Sequence, residues 1–126
     1  MPETVAIALR CQNFQKRIVV FRKDSYDEHC LRHPELEDPT FFPPKVLQAL
    51  KTPTFWVKAY KNDSICYYLE LFAINGIMKY VKVVVSNKSQ TINGERVYRI
   101  KTSFKTDHVQ EQKYGNKLHY LGGTTL

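Results

Sequence analysis

The chain has 126 residues, of which 43% are hydrophobic and 13% aromatic, with only five glycines. This length and composition predict one folded domain spanning 1–126 and exclude a mainly disordered chain. Nineteen Lys and Arg residues against twelve Asp and Glu residues give a net charge of +7, which favours polyanionic partners such as nucleic acid.

Cys11, Cys30 and Cys66 are odd in number, widely spaced and outside any CxxC pattern. This usage predicts reduced thiols that pack in the core rather than a disulfide framework. The sequence opens on Met1-Pro2-Glu3-Thr4 without a basic segment or a long apolar run, so we expect neither a signal peptide nor a membrane span. The predicted location is the cytoplasm, without a membrane partner.

The N-terminal half predicts two strands followed by two helices. The apolar patterns at 4–9 and 17–22 are typical of short strands. Asp24 or Ser25 is a suitable N-cap for a helix through about Arg32, and Pro34 places His33 at its end. A second helix is predicted to start at Pro43 or Pro44 and to end at Lys51, before Pro53.

The C-terminal half turns to strand chemistry, with connections short enough for an antiparallel meander. Four strands are predicted, at 54–60, 65–72, 77–86 and 96–106. The predicted fold class is therefore α+β, with N-terminal strands and two short helices packed on a four-stranded antiparallel sheet. The polar segment 107–126 is expected to form a peripheral tail.

His29 and His33 are the most informative residues of the chain. Histidines four residues apart share one helix face, and Arg32 lies between them with carboxylates on both sides. An imidazole titrates near neutral pH, at roughly 6.5 when unperturbed, so such a pair can take one proton and give another at physiological pH. This is the chemistry of metal-free RNA cleavage.

The later strands supply the other groups that such a reaction requires. A metal-free ribonuclease needs a base, an acid, and a cation or hydrogen-bond donor on the phosphate. Lys82 stands within a valine run, where it lies either on a solvated face or in a cleft. In the last strand, alternation predicts one face with Ile100, Thr102 and Phe104 and a cationic face with Lys101 and Lys105.

These motifs also carry a resemblance. His29 to Leu36, Leu50 to Pro53, Tyr67-Tyr68, Val81 to Val85 and Ile100 to Phe104 follow one another in the order and spacing of a known pattern. The chain from Arg17 to Thr106 resembles the phage- and toxin-associated branch of the superfamily of barnase, EndoU, colicin and RelE-like ribonucleases.

The resemblance implies a metal-independent endoribonuclease that leaves a 2′,3′-cyclic phosphate and a 5′-hydroxyl and uses no cofactor. By position, His29 and His33 would be the acid–base pair and Thr102 the phosphate-binding hydroxyl. Lys82 is assigned beside them by residue type. Substrate contacts are predicted for four further residues: Arg32, Lys101, Lys105 and Tyr68. The implied partners are RNA, for which a tRNA is one candidate, and an acidic antitoxin or immunity protein that covers the basic cleft.

Other interpretations stay open. Both histidines suit a zinc site if Cys30, Cys66, Asp107 or His108 joined them, although the HExxH pattern is absent. A non-catalytic nucleic-acid-binding module would stack bases on exposed aromatic residues between lysines. Its candidate residues are Trp56, Tyr60, Tyr67 and Tyr68, beside Lys58, Lys61 and Lys79.

Two weaker alternatives complete the set. The acidic segment 35–38 followed by Phe41 and Phe42 suits a contact with another protein, or a solvated loop over the core. Both histidines are also compatible with ordinary polar positions near a helix end.

Overall fold

The computed structural model describes residues 4–59, 62–111 and 116–120, apart from the side chain of Ile74. The two helices are α1 (Lys23–Cys30) and α2 (Pro44–Lys51), and a 3-10 helix (Pro34–Glu37) lies between them. The described strands are β1 (Ile7–Gln12), β2 (Ile18–Arg22), β3 (Phe55–Ala59), β4 (Ser64–Ile74), β5 (Ile77–Ser86), β6 (Gln90–Ile92), β7 (Glu95–Thr106) and β8 (Leu118–Tyr120).

These strands form one mixed sheet in the order β1-β2-β7-β5-β4-β3-β8, with β6 paired to β7. The predicted four-stranded antiparallel sheet is therefore wrong as a description of the whole sheet. Strands β3, β4, β5 and β7 do pair antiparallel, but the N-terminal hairpin joins them through a parallel pairing of β2 with β7. The prediction treated the N-terminal strands as packing on the sheet, whereas their backbones extend it.

The helices cover one face of the sheet and enclose the main core. Helix α2 begins with proline at its first position, as predicted, and buries Val46, Ala49 and Leu50 against β4 and β5. Cys11 and Cys30 are free thiols in this main core. The free thiol of Cys66 lies in a smaller core on the opposite face of the sheet, here called the second core. The prediction of thiols that pack in the interior is thus confirmed. Within the described residues, no helix has the length and apolar character to cross a membrane.

The segment after β7 is not simply peripheral. Glu111 is only 6% exposed, and β8 pairs antiparallel with β3 at the edge of the sheet. The prediction of a peripheral tail over 107–126 is therefore wrong for these residues. Residues 112–115 and 121–126 of that segment lie outside the described residues.

The β4–β5 and β6–β7 hairpins turn on Asn-Gly pairs. Asn75-Gly76 joins β4 to β5 and Asn93-Gly94 joins β6 to β7, and all four residues have positive φ. Two consecutive left-handed residues are typical of the type I′ turn, whose twist matches that of the paired strands. These turns fix the register of the hairpins on which the candidate site depends.

We expect Gly94→Ala to lower the free energy of unfolding by about 1 kcal/mol, because Gly94 has a φ of +77° and an L side chain disfavours this region. A Cβ there would meet no atom within 4 Å, so the backbone conformation alone causes the loss. Urea unfolding of the variant beside the wild type measures it. An unchanged midpoint at unchanged slope would contradict the turn assignment.

Candidate functional site

Helix α1 lies beside the part of β7 that extends beyond its pairing with β2. The parallel register of β2 with β7 ends at Val20 opposite Arg99, and α1 starts directly after β2. The chain therefore leaves the sheet beside the C-terminal half of β7, and α1 contacts that half in place of a strand. This arrangement brings His29, near the end of α1, to the edge of β7.

His29 meets Thr102 at this edge. Its Nδ1 lies 3.4 Å from the Thr102 Oγ1, and the side chain is half-buried. Burial lowers the pKa of His29 below its ordinary value, and the positive charge of Arg32 and the His33 imidazole act in the same direction. The nearby Glu28 carboxylate and a hydrogen bond to the Lys101 backbone oppose this shift without cancelling it. The shift therefore extends the neutral form of the His29 imidazole to lower pH than a fully exposed histidine would allow.

His33 completes a close pair of imidazoles. The ring centroids of His29 and His33 are 6.4 Å apart and their planes differ by 20°. His33 also stacks on Phe104 of β7, with centroids 4.9 Å apart and planes 18° apart. The structure therefore brings together three of the predicted catalytic residues, His29, His33 and Thr102.

A β-bulge at Lys101 gives Thr102 its position. Thr102 is opposite Val84 on β5 and Ile100 is opposite Val85, so Lys101 has no partner of its own. The extra residue reverses the alternation, and Ile100 and Thr102 lie on opposite faces of the sheet. The predicted shared face of Ile100 and Thr102 is therefore wrong. The sequence carries no glycine or proline here that would indicate a bulge.

Lys82 belongs to a different, buried group. It is 7% exposed, and its Nζ lies 3.1 Å from a carboxylate oxygen of Glu111. Tyr68 is fully buried and donates its hydroxyl to the same carboxylate at 2.7 Å. Neither side chain is available to a substrate, so the assignments of Lys82 to the phosphate and of Tyr68 to RNA are not supported by the geometry. Glu111, which sequence reasoning missed, is the residue that organises this group.

The electrostatics of the buried group favour its ionised form. Burial alone would raise the pKa of Glu111, but hydrogen bonds from Tyr68 and the charge of Lys82 outweigh it and leave that pKa below its usual value. Burial and the neighbouring carboxylate raise the pKa of Tyr68, so the phenol stays protonated as a donor. The group therefore carries a neutralised ion pair inside the second core.

The predicted substrate-binding cations differ in their exposure and in the groups that they contact. Arg32 is exposed, with its guanidinium 3.5 Å from the Glu28 carboxylate. Lys105 is exposed, with its ammonium 5.5 Å from the ring centroid of Phe41. Lys101 instead donates to Ser64 and to the carbonyl of Asn62, which directs its ammonium toward the turn before β4.

The aromatic residues proposed as a base-stacking surface are not exposed as a group. Tyr67 and Tyr68 are completely buried, and Trp56 is half-buried with its ring 4.2 Å from the His119 ring. Two further candidates, Tyr60 and Lys61, lie outside the described residues. An aromatic platform at this end of the sheet is thus not supported.

The segment 35–42, considered above as a contact with another protein, packs against the rest of the chain. Phe41 and Phe42 are buried in the main core, and a carboxylate oxygen of Glu35 accepts the Lys105 backbone N–H at 3.0 Å. The acidic segment therefore closes the edge of β7 instead of presenting an apolar surface. Over 4–59, 62–111 and 116–120, no three His, Cys, Asp or Glu side chains are grouped so that they could hold a metal ion.

An open groove of about 520 Å³ adjoins the histidine pair. It lies between the β4–β5 hairpin and the end of β7, and it shares Phe104 with the stack on His33. Its lining consists of Phe72, Lys79, Phe104, Lys105, Thr106, Asp107 and His108.

Comparison with known proteins gives no counterpart. The chain matches no protein-family model, no curated protein and no solved structure. The class of protein is therefore argued from the site alone, and the resemblance to the ribonuclease superfamily stays a prediction.

Proposed function

We propose that the protein is a metal-independent endoribonuclease that cleaves RNA by transphosphorylation, in which the 2′-oxygen attacks the adjacent phosphorus and displaces the 5′-oxygen. The observation that carries this proposal is the pair of half-buried imidazoles, His29 and His33, 6.4 Å apart beside the Thr102 hydroxyl. A base and an acid at this separation can stand on either side of one phosphodiester. The net charge of +7 favours a polyanionic substrate.

In the proposed reaction, neutral His29 takes the proton of the ribose 2′-OH as the 2′-oxygen attacks phosphorus. Protonated His33 gives its proton to the departing 5′-oxygen, so the phosphorus–oxygen bond to that atom breaks. The products are a 2′,3′-cyclic phosphate and a 5′-hydroxyl, and the proton count is balanced. The lowered pKa of His29 supports its assignment as the base.

Thr102 has two tasks in this scheme. If His29 Nδ1–H donates to both the Thr102 Oγ1 and the Lys101 carbonyl, the Nε2 lone pair of His29 is left to accept the substrate proton. The Thr102 hydroxyl hydrogen then points away from the imidazole and can donate to a phosphate oxygen. Lys105 and Arg32, both exposed, are the cations proposed to attract the RNA backbone.

The direct test is incubation of total cellular RNA with the purified protein in EDTA, followed by mapping of the fragment ends. Cleavage that leaves cyclic phosphate and 5′-hydroxyl ends supports the proposal. Intact RNA under these conditions contradicts it. Cleavage that appears only when a divalent cation is added would also contradict it.

The pH dependence of cleavage tests the assignment of the base. Because burial lowers the pKa of His29, the neutral base persists to lower pH than an exposed histidine would allow. We therefore expect the acid limb of kcat/KM on a short oligonucleotide to lie below about 6.5, the unperturbed histidine value. An acid limb at or above that value would show that another group is the base.

One observation favours a second candidate, a non-catalytic RNA-binding protein. Glu35 caps a backbone N–H of β7, and His29 lies against the backbone of the same edge, so both side chains also close an unpaired strand. A protein in which His29 has only this structural task would bind RNA without cutting it.

A further inference from the structure

The groove beside the histidine pair exposes aromatic surface that the fold does not use. Phe72 is 50% exposed on β4, although a side chain of this size is normally buried. Ile77 on β5, near the same hairpin turn, is 51% exposed but does not line the groove. The hairpin thus offers an aromatic groove residue and an aliphatic neighbour of equal exposure outside it.

The groove lies beside the proposed reaction centre. Phe104 is one of its lining residues, and the Phe104 ring stacks on His33. A nucleotide bound there would be next to the phosphodiester placed between the two imidazoles.

The polar lining suits a nucleotide as well. Lys79, Lys105 and His108 line the groove, and Lys105 and His108 are exposed. The Lys105 ammonium lies 5.5 Å from the ring centroid of Phe41, which is outside the lining, so contact with a phosphate in the groove requires this side chain to turn. The one carboxylate among the lining residues, Asp107, lies 3.0 Å from His108 Nδ1 and 3.7 Å from Lys79 Nζ. Its hydrogen bond with His108 and the charge of Lys79 keep the pKa of Asp107 below the ordinary value, and the Lys79 ammonium offsets its negative charge.

We propose that this groove binds one unstacked nucleotide of single-stranded RNA, with the base on Phe72 and the phosphate at Lys105. The proposal rests on the proposed function, since it supplies the substrate class for the same centre. Single strands are specified because a base inside a duplex must first unpair and leave its stack to reach an aromatic ring, which costs free energy. Stacking between base and ring is tolerant of sequence, so the groove selects an unpaired nucleotide more than a particular base.

Binding of a fluorescent 2′-O-methyl RNA oligonucleotide tests this subsite without cleavage, since the nucleophile is blocked. We expect Phe72→Ala to weaken binding of the single strand about ten-fold or more, because one aromatic stack is lost. Ile77→Ala is the matched control, with equal exposure outside the groove, and leaves the Kd unchanged. We also expect a duplex of the same sequence to bind more weakly than the single strand.

The salt dependence of binding tests the cation. Lys105→Gln removes one proposed phosphate contact, so the slope of log Kd against log salt should fall by about 0.7 for a single strand. Lys88, which is exposed beyond the opposite end of β5, provides the control variant Lys88→Gln. Equal slopes for both variants would overturn the assignment of Lys105.

The outcomes separate this proposal from the proposed function. If RNA is cleaved but Phe72→Ala binds and cleaves as the wild type does, the subsite is wrong and the nuclease stands. If the oligonucleotide binds through Phe72 but natural RNA stays intact, the subsite stands and the nuclease is wrong. Absence of binding by the wild type, or equal binding of single strand and duplex, overturns the subsite.

Discussion

His29→Ala and His33→Ala should each reduce the rate of RNA cleavage by about 10²- to 10⁴-fold, the usual range for loss of one general acid or base. Each imidazole is assigned one of the two proton transfers, and the imidazole that remains in either variant cannot perform both. The measurement is single-turnover cleavage of a short RNA in EDTA, with RNA binding followed in parallel by a 2′-O-methyl analogue. We expect binding to change far less than cleavage.

Because His29 also closes the edge of β7, its variants need a structural control. His119→Ala removes a histidine that stacks on Trp56, remote from the pair in the sheet order, and should leave cleavage unchanged. His29→Gln keeps a polar side chain at the β7 edge but cannot act as the base. Full cleavage by His29→Gln, or by His33→Ala, would exclude the acid–base pair and assign the cleavage to other residues.

The local elements of this fold were accessible from the sequence. Helix α2 follows from the proline at its start, and the Asn-Gly pair at 75–76 marks the β4–β5 hairpin. Helix α1 was predicted, but its boundaries were wrong: Arg22, and not Asp24 or Ser25, is the N-cap, and the helix ends at Cys30 instead of near Arg32. The proximity of His29 to His33 also follows from their spacing, because the His33 N–H donates to the His29 carbonyl at 2.8 Å, although His33 lies beyond the end of α1 and not on its face as predicted. Each of these features depends on residues near one another in the chain.

The parallel pairing of β2 with β7 was not accessible in the same way. It joins segments about eighty positions apart, and no turn signal connects them. The apolar run Ile18-Val19-Val20-Phe21 does show that β2 is buried on both faces, which is typical of a strand with neighbours on both sides. It does not say which strand the neighbour is.

The candidate site likewise combines residues that have a local sequence signal with an arrangement that has none. Residue type and spacing selected His29, His33 and Thr102, but the bulge at Lys101 decides the face on which Thr102 lies. Residue type also selected Lys82, and burial with Glu111 removes it from the surface. A lysine within a valine strand carries no local signal that distinguishes a solvated cation from a buried one paired with a distant carboxylate.

Lys82→Met should lower the free energy of unfolding by about 3–5 kcal/mol, because it leaves the carboxylate of Glu111 buried without its cation. Removal of both charges in Lys82→Met with Glu111→Leu should recover part of this loss, since replacing a buried pair by apolar side chains is often neutral, while the Tyr68 hydroxyl loses its acceptor. Urea unfolding of the wild type, both single variants and the double variant measures the coupling as a double-mutant cycle.

The pH dependence distinguishes an ion pair from simple packing. The folded-state pKa of Glu111 lies below its ordinary value, so its contribution to stability is complete above the ordinary carboxyl pKa and is lost as the pH falls through the folded value. The difference between the wild type and Lys82→Met should therefore narrow in acid. A difference that stays constant through that range would mean that Lys82 stabilises the second core by the packing of its methylene chain, and that Glu111 holds the 107–111 segment without its charge.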